Sequence, residues 1–285
     1  MTYLEETNKY INNESFRIPS RIVKPFSWIG HIPFLQWLIS VSKINNYVEL
    51  GVHTGNSYFA ACESISSLGI KAKAYAIDSW EGDDQAGYYS EEIYRDVSHH
   101  ALAKYPNISI IIRKRFTQAA DEFPNASIDF LHIDGLHTYD AVKEDYLTWL
   151  PKMSDKGIIL FHDICVKEKN FGVWKLWDEI SSLYPSYSFS HNFGLGVLVV
   201  GKNANTVVLD LCKADVDVKN NIRLIYELIS HKIYRNVYDP DMLGTNIEAL
   251  QEQVKNLSNR LDLMHKSYSW RFTAPLRKIQ DIIFR

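Results

Sequence analysis

Two buried-strand patterns, 128–133 and 157–161, each end in acids and histidines, and this arrangement constrains the fold more than any other feature. The residues between the two runs, from Tyr139 to Leu150, carry apolar side chains at helical spacing. The segment is therefore predicted to be a strand, a helix and a strand. The polar side chains that follow the two runs are Asp134, His137, His162 and Asp163.

A strand–helix–strand unit places its two strands in parallel, because the crossover is right-handed. In open parallel sheets, ligands bind outside the carboxyl ends of the strands. We therefore expect the two acids and two histidines to lie on one edge of the sheet, where they form a candidate chemical site.

Alternating strand and helix patterns begin at Tyr47 and continue through most of the chain, which predicts an α/β fold with a Rossmann-like, doubly wound sheet. Near its end, the apolar runs 187–193 and 197–200 are joined by a tight turn at Gly194-Leu195-Gly196. So short a connection requires antiparallel strands. The predicted sheet is therefore mostly parallel, with an antiparallel last strand.

Changes in composition along the chain predict four parts. They are a helical N-terminal cap (1–46), the α/β domain (47–201), a helical extension (202–245) and a basic tail (246–285).

The bulk composition is typical of a globular protein, with 46% hydrophobic and 23% charged residues. A net charge of -3 gives no reason to expect nucleic acid as a partner. The N-terminal residues lack a signal-peptide pattern, and no apolar run approaches the ~18 residues needed to cross a bilayer. The three cysteines, Cys62, Cys165 and Cys212, are widely spaced and fit a reducing compartment, so we expect a cytoplasmic protein.

The basic tail has two features that point to a partner. Apolar residues from Ile247 to Met264 follow spacings of three and four, which fits either a short coiled coil or one amphipathic helix. From Leu250 onward, seven Lys and Arg face three acids, with aromatic and aliphatic residues between them. The tail either contacts a protein or an anionic membrane surface, or is a solvated basic helix.

A second candidate site begins where the first strand of the domain ends. The pattern Glu49-x-Gly51-x-x-x-Gly55 precedes a helix, and glycines there allow a sharp turn and close approach of a ligand. His53 stands where a nicotinamide-binding motif would have a glycine. The next strand ends in Asp78, which is placed to bind the two hydroxyls of a ribose.

With these motifs, the segment from Tyr47 to Gly201 resembles the class I S-adenosylmethionine-dependent methyltransferases. The resemblance implies that Gly51 and Gly55 lie against the methionine part of the cofactor, that Glu49 supports its amino end and that Asp78 holds the ribose. Residues 114–117 would lie by the adenine, although Arg115 stands where related sequences often have glycine. The cofactor residues implied in this way are Glu49, Gly51, His53, Gly55, Ser57, Asp78, Ser79, Trp80, Thr117 and Asp134.

Three blocks resemble a smaller group, the metal-dependent sugar and glycan O-methyltransferases. They are Asp78–Asp83 with the aromatic residues after it, Ile133–Tyr139, and Phe161–Asp163. The resemblance implies that Asp134 and Asp163 bind a divalent cation, Mg or Mn, and that His137 is the general base. His162 replaces an acid of the pattern, so it is either a third metal ligand or a residue that abolishes metal binding.

The chemistry of a sugar hydroxyl agrees with these roles. Such a hydroxyl is a weak acid, and a bound cation together with a neutral imidazole can remove its proton. The polar and aromatic segment from Trp80 to Ser90 contains Gly82 and Gly87 as candidate hinges, and is predicted to be a lid or an exposed loop.

The sequence therefore predicts an O-methyltransferase that acts on a saccharide or glycan precursor. The closing segment SYSWRFTAPLRKI resembles tails of bacterial surface-polysaccharide enzymes, which favours a glycan and contact with a glycosyltransferase or the inner membrane surface. The alternatives are methylation of a nonsugar secondary metabolite and a noncatalytic assembly subunit of a polysaccharide-synthesis complex. Another copy of the chain is a further candidate partner.

Overall fold

The computed structural model describes residues 7–83, 85, 87–168 and 170–238, together with Lys255 and Asn259. Within these residues the chain forms nine strands: β1 (Asn46–Leu50), β2 (Lys73–Asp78), β3 (Gly82–Asp83), β4 (Gly87–Tyr88), β5 (Ser109–Arg113), β6 (Ile128–Ile133), β7 (Met153–His162), β8 (Ser186–Phe189) and β9 (Leu195–Val199). The helices are α1 (Ile32–Val41), α2 (Asn56–Ser67), α3 (Glu91–Lys104), α4 (Phe116–Ala119), α5 (Tyr139–Trp149), α6 (Val173–Ile180), α7 (Thr206–Lys213) and α8 (Val216–Tyr238).

Seven strands form one sheet in the order β5-β2-β1-β6-β7-β9-β8, and β3 pairs with β4 in a separate hairpin. The first five strands of this order are parallel, whereas β9 runs antiparallel to both β7 and β8. Helices cover both faces of the sheet, with α1, α2, α7 and α8 on one face and α4, α5 and α6 on the other. The predicted doubly wound, mostly parallel fold is confirmed.

The central unit β6–α5–β7 agrees closely with the sequence pattern. All six residues of β6 are buried, the polar Asp129 and His132 included, which explains the mainly apolar run. Thr138 caps α5 by accepting a hydrogen bond from the backbone N–H of Ala141. β7 begins at Met153 rather than at Gly157, because the residues 154–156 that follow Met153 are polar and at least partly exposed and carry no hydrophobic signal.

The predicted turn at Gly194-Leu195-Gly196 is wrong by two residues. Leu195 and Gly196 belong to β9, where Gly196 pairs with Phe161 and Ser188. The turn lies before Gly194, whose N–H donates to the carbonyl of His191 and whose φ is 91°. Gly196 is a glycine for a packing reason, because a Cβ there would lie 2.6 Å from the Trp177 ring.

The residues before β1 and after β9 cover the same face of the sheet. In α1, Phe34 packs against Phe189 of β8 and Tyr226 of α8, at ring separations of 4.7 and 5.3 Å. The Tyr226 hydroxyl donates to the backbone carbonyl of Tyr10. The boundaries drawn at 46, 201 and 245 stay predictions, and the basic tail lies outside the described residues apart from Lys255 and Asn259. Among the helices described, none is both long enough and apolar enough to cross a membrane.

Candidate active site

The glycine turn after β1 requires both of its glycines. Gly51 has a φ of 86°, and a Cβ there would lie 2.0 Å from the backbone carbonyl oxygen of Asp134. Gly55 has a φ of 83°, and its Cβ would lie 2.7 Å from the Phe59 ring. Only glycine adopts this conformation in this space without strain. The turn therefore passes directly beside the end of β6.

Asp78, at the end of β2, holds the glycine turn in place. One carboxylate oxygen accepts from the backbone N–H groups of Val52 and His53, both at 2.9 Å, and the other accepts from Trp80 N–H at 2.7 Å. Burial raises the pKa of Asp78, although these three hydrogen bonds stabilise the charged form. The acid predicted to hold a ribose therefore also shapes the turn.

A cavity of about 330 Å³ opens beside the glycine turn. Of the residues predicted to bind the cofactor, four line it: Gly51, Asp78, Ser79 and Asp134. The remaining lining residues are Glu81, Gly82, Asp83, Tyr89, Arg115, Phe116, Gly135, Leu136 and His137. We call this space the cofactor cavity.

Glu49 and Ser57 lie beneath this cavity rather than in its wall. Ser57 Oγ donates to one oxygen of Glu49 at 2.6 Å, and the Tyr47 hydroxyl donates to the other at 2.5 Å. His132 Nδ1 lies 3.2 Å from Glu49 without a well-aligned hydrogen bond, and His132 Nε2 accepts from the indole N–H of Trp28. Glu49 is fully buried and supports the turn from below.

The other predicted cofactor residues are also outside the cavity wall. Trp80 is buried, and its indole N–H donates to the backbone carbonyl of His53. The His53 ring stacks on Tyr89 at 4.2 Å and faces a second cavity. Gly55 is the N-cap residue of α2. Thr117 lies in α4, while its neighbours Arg115 and Phe116 reach the cofactor cavity.

Sequence reasoning named the segment 80–90 and the region 114–117, but not which of their side chains reach the cavity. Gly135 could have been found, since it follows Asp134 directly at the strand end. Its Cβ would lie 2.3 Å from the Phe116 ring, so this glycine makes room for α4. Leu136 lies in the block Ile133–Tyr139 singled out in the sequence, but nothing there predicted a role for its side chain.

The predicted acids and histidines do meet on one edge of the sheet. His162 Nδ1 lies 3.2 Å from Asp134 Oδ1 and 3.4 Å from Asp163 Oδ2. His137 Nε2 lies 2.9 Å from Asp163 Oδ2 and 3.6 Å from Asp134 Oδ1. The four side chains form a compact cluster that we call the acid–histidine cluster.

Opposite charges dominate the electrostatics of the acid–histidine cluster. Burial alone would lower the pKa of both histidines, but the carboxylates of Asp134 and Asp163 outweigh it and raise the pKa of His137 to about 9 and of His162 to about 10. Burial alone would raise the pKa of both carboxyls, but the two histidines hold each pKa below its usual range. The two carboxylates thus favour the positively charged form of both His137 and His162.

Asp134, His162 and Asp163 fit a divalent cation. Their donor atoms all lie within 4.8 Å of one another. The backbone carbonyl of Asn192 lies 3.1 Å from His162 Nε2 and therefore accepts its proton, which leaves the Nδ1 lone pair facing the carboxylates when the ring is neutral. Mixed oxygen and imidazole donors of this kind bind divalent cations such as Mn²⁺.

The backbone is strained around the cluster. Asp163 and Phe193 have positive φ angles of 62° and 67°, and Asn192, which precedes Phe193 in sequence, has a φ of 48°. Non-glycine residues rarely adopt this conformation, and they concentrate at functional sites.

A second cavity of about 360 Å³ lies on the other side of the acid–histidine cluster. It shares Tyr89, Asp134 and His137 with the cofactor cavity. Its remaining lining residues are Pro25, Ser27, His53, His162, Asp163, Val166, Glu168, Phe171 and Phe193. For the role that we propose for it below, we call it the acceptor cavity.

The segment before α1 contributes to this wall. The Asn56 amide, at the start of α2, donates to the backbone carbonyls of Val23 and Pro25. Trp28 binds His132, as described above, and the His191 ring lies 3.3 Å from the carbonyl of Gly30. Residues 23–31 are thereby held by contacts with α2, with β6 and with the turn between β8 and β9.

Comparison with known proteins agrees with this architecture. Residues 48–164 match the sequence model of a family described as a methyltransferase domain. Such a domain uses S-adenosylmethionine as its cofactor, and the matched segment contains the glycine turn, Asp78 and the acid–histidine cluster.

The chain is similar to part of a much longer protein, and more distantly to proteins of known structure. A protein of Sinorhizobium fredii, named "Uncharacterized protein y4gI", is 39% identical over 193 residues, which are 68% of this chain and 21% of that protein. A provisionally named caffeoyl-CoA O-methyltransferase from Staphylococcus aureus is 16% identical, with a TM-score of 0.46, over 64% of this chain and 86% of that one. A methyltransferase from Geobacter sulfurreducens is 9% identical, with a TM-score of 0.44, over 69% and 84%.

Proposed function

We propose that this protein transfers a methyl group from S-adenosylmethionine to a hydroxyl of a saccharide or glycan precursor. The observation that carries the proposal is the meeting of the two cavities at Asp134, His137 and Tyr89. A donor in one cavity and an acceptor in the other would face each other across these side chains. Transfer between two bound molecules needs this arrangement, since it is accelerated mainly by proximity and alignment.

The lining of the acceptor cavity supports an uncharged, hydroxyl-rich acceptor. Aromatic rings of Tyr89, Phe171 and Phe193 offer faces for a sugar ring, and Glu168 offers a carboxylate for hydroxyl groups. Among the described residues that line the cavity there is no Lys or Arg, and the positive charges of His137 and His162 are paired with Asp163 and Asp134, so no unpaired positive charge is offered to a phosphate. A neutral polyol fits these walls better than a nucleotide does.

His137 is suited to remove the proton from the acceptor hydroxyl. Its Nε2 atom points into the acid–histidine cluster at the boundary of the two cavities. As the oxygen–carbon bond forms, the carbon–sulfur bond breaks and the hydroxyl proton passes to His137 Nε2. Asp134 and Asp163 stabilise the imidazolium that results, because their carboxylates lie 3.6 and 2.9 Å from that nitrogen.

The cofactor and the cation supply the rest of the chemistry. S-adenosylmethionine supplies a methyl group already activated on sulfur, so the protein has only to bind and orient it. A divalent cation held by Asp134, His162 and Asp163 would supply positive charge that lowers the pKa of the acceptor hydroxyl and of His137.

The proposal is tested with a library of acceptors. The full chain is incubated with S-adenosylmethionine and Mn²⁺, and products are analysed for a mass gain of one methyl group. We expect methylation of neutral saccharides, loss of turnover in His137→Ala, and normal turnover in His99→Ala, whose side chain is exposed on α3. Full activity of His137→Ala would show that His137 is not the base. Absence of S-adenosylmethionine binding by calorimetry would refute the enzyme and leave a noncatalytic subunit.

A further inference from the structure

The hairpin β3–β4 connects the cofactor cavity to His137. Gly82 and Asp83 line the cofactor cavity, and Gln85 lies between the two short strands of the hairpin. The backbone N–H of Gln85 donates to Asp83 Oδ1 at 2.7 Å. Gln85 therefore belongs to a segment whose neighbouring residues form part of the wall of the cofactor cavity.

Gln85 makes two contacts with His137 through one atom. Its Oε1 accepts from the backbone N–H of His137 at 3.0 Å and lies 3.2 Å from His137 Nδ1. A backbone N–H can only donate, so the atom that faces it must be the amide oxygen and not the nitrogen. The same oxygen faces Nδ1, and this ring nitrogen must therefore carry a hydrogen.

The orientation of the His137 ring follows from this contact. With Nδ1 bonded to Gln85, the other ring nitrogen, Nε2, faces Asp163 at 2.9 Å and Asp134 at 3.6 Å. The Phe171 ring lies parallel to His137 at 4.5 Å with an interplanar angle of 8°, which restricts rotation of the imidazole.

We propose that Gln85 is a positioning residue that orients the His137 ring, with Nδ1 donating to the hairpin and Nε2 aimed at the acceptor hydroxyl. This inference rests on the proposed function, in which His137 is the base. The partner of a reacting imidazole commonly sets which nitrogen is available, as carboxylates do for metal-bound histidines. In this protein, the partner of the imidazole is the neutral side-chain amide of Gln85 on the β3–β4 hairpin.

Two variants at this position separate acceptance of the hydrogen bond from packing. Gln85→Leu keeps the size of the side chain but has no acceptor, whereas Gln85→Glu keeps an oxygen acceptor. We expect Gln85→Leu to lower kcat by about 10- to 100-fold. Its KM for S-adenosylmethionine should stay within about twofold of wild type, because no cofactor contact is removed. Gln85→Glu should recover most of the lost kcat. Tyr88→Ala, at an exposed position of the same hairpin, is the control for a disturbed hairpin.

A spectroscopic readout is independent of turnover. In protein labelled with ¹⁵N-histidine, the imidazole nitrogens of His137 are followed by NMR as a function of pH. The wild type should show an Nδ1–H signal of His137 that its hydrogen bond to Gln85 protects from exchange with water, and Gln85→Leu should lose that protection.

The outcomes distinguish this inference from the proposed function. Wild-type kcat in Gln85→Leu, with His137→Ala inactive, would overturn the positioning role alone. Equal loss in Gln85→Leu and Gln85→Glu would also overturn it, because an acceptor would then make no difference. Full activity of His137→Ala would remove the base itself and so overturn the proposed function.

Discussion

A Cβ atom on Gly51 would lie 2.0 Å from the backbone carbonyl oxygen of Asp134. The two residues end neighbouring parallel strands, and the N–H of Asp134 donates to the carbonyl of Leu50. The backbone of the glycine turn is thus in direct contact with the backbone of Asp134, a member of the acid–histidine cluster. A change that moves the glycine turn should therefore also move Asp134.

Gly51→Ala should therefore disturb both sites. The new methyl group would strain the left-handed backbone and push Asp134 away, and we expect at least about tenfold weaker binding of S-adenosylhomocysteine by calorimetry. Gly69→Ala is a matched control, since Gly69 also has a positive φ, 64°, but no atom within 4 Å of its Cβ. The control should lose only the conformational cost of about 1–2 kcal/mol. Equal behaviour of the two variants would contradict the contact.

Asp78→Asn should destabilise the protein and weaken cofactor binding. Three backbone N–H groups donate to the carboxylate, and an amide nitrogen would face at least one of them. Loss of one such buried hydrogen bond costs about 1–3 kcal/mol, measurable by urea unfolding. Asp210→Asn removes an exposed contact with Lys9 and should cost less than about 1 kcal/mol. A stable Asp78→Asn with normal cofactor affinity would argue against this role.

Removal of the cation should abolish turnover. We expect activity to disappear after exhaustive chelation and to return with Mn²⁺. Calorimetry should show Mn²⁺ binding that weakens about tenfold or more in Asp163→Asn. Glu168→Gln removes a carboxylate from the same cavity but not from the cluster, and should bind Mn²⁺ normally. Undiminished activity after chelation would leave His137 to act without a metal.

Asp145 should make stability depend on pH. Burial, with a smaller effect of Glu144, raises the pKa of Asp145 to about 7. The folded protein then keeps a proton that the unfolded chain releases from about pH 4 upward. The free energy of unfolding should fall by up to about 1.4 kcal/mol per pH unit across this range.

Asp145→Asn tests this expectation. The variant should be more stable than wild type above about pH 7 and nearly equal to it below about pH 4. The exposed Asp178→Asn on α6 is the control, and should leave the pH dependence of Tm as in wild type. The same pH dependence in Asp145→Asn and wild type would show that another group is responsible.

The sequence predicted the parts of the site that lie at strand ends. Asp78, Asp134 and Asp163 each follow a buried apolar run, so their common edge follows from the sequence pattern alone. The fold followed for the same reason, because alternating strand and helix patterns leave few arrangements of the sheet.

Contacts between residues that are far apart in sequence could not be predicted from the sequence pattern. Trp28 and His132 are 104 residues apart, and Gln85 and His137 are 52 apart, with no periodicity to connect them. Glu49 was expected beside the cofactor but lies below the turn, because Tyr47 and Ser57 donate to both of its oxygens. Side-chain partners of this kind depend on packing, which single-residue patterns do not encode.

The acceptor cavity takes part of its wall from Pro25 and Ser27, which precede the segment that matches the methyltransferase model. The cofactor cavity is built from residues within that segment. In the reaction that we propose, only the acceptor side therefore depends on residues from outside it. A new N-terminal segment would then change which molecule is methylated and leave the residues around the cofactor the same.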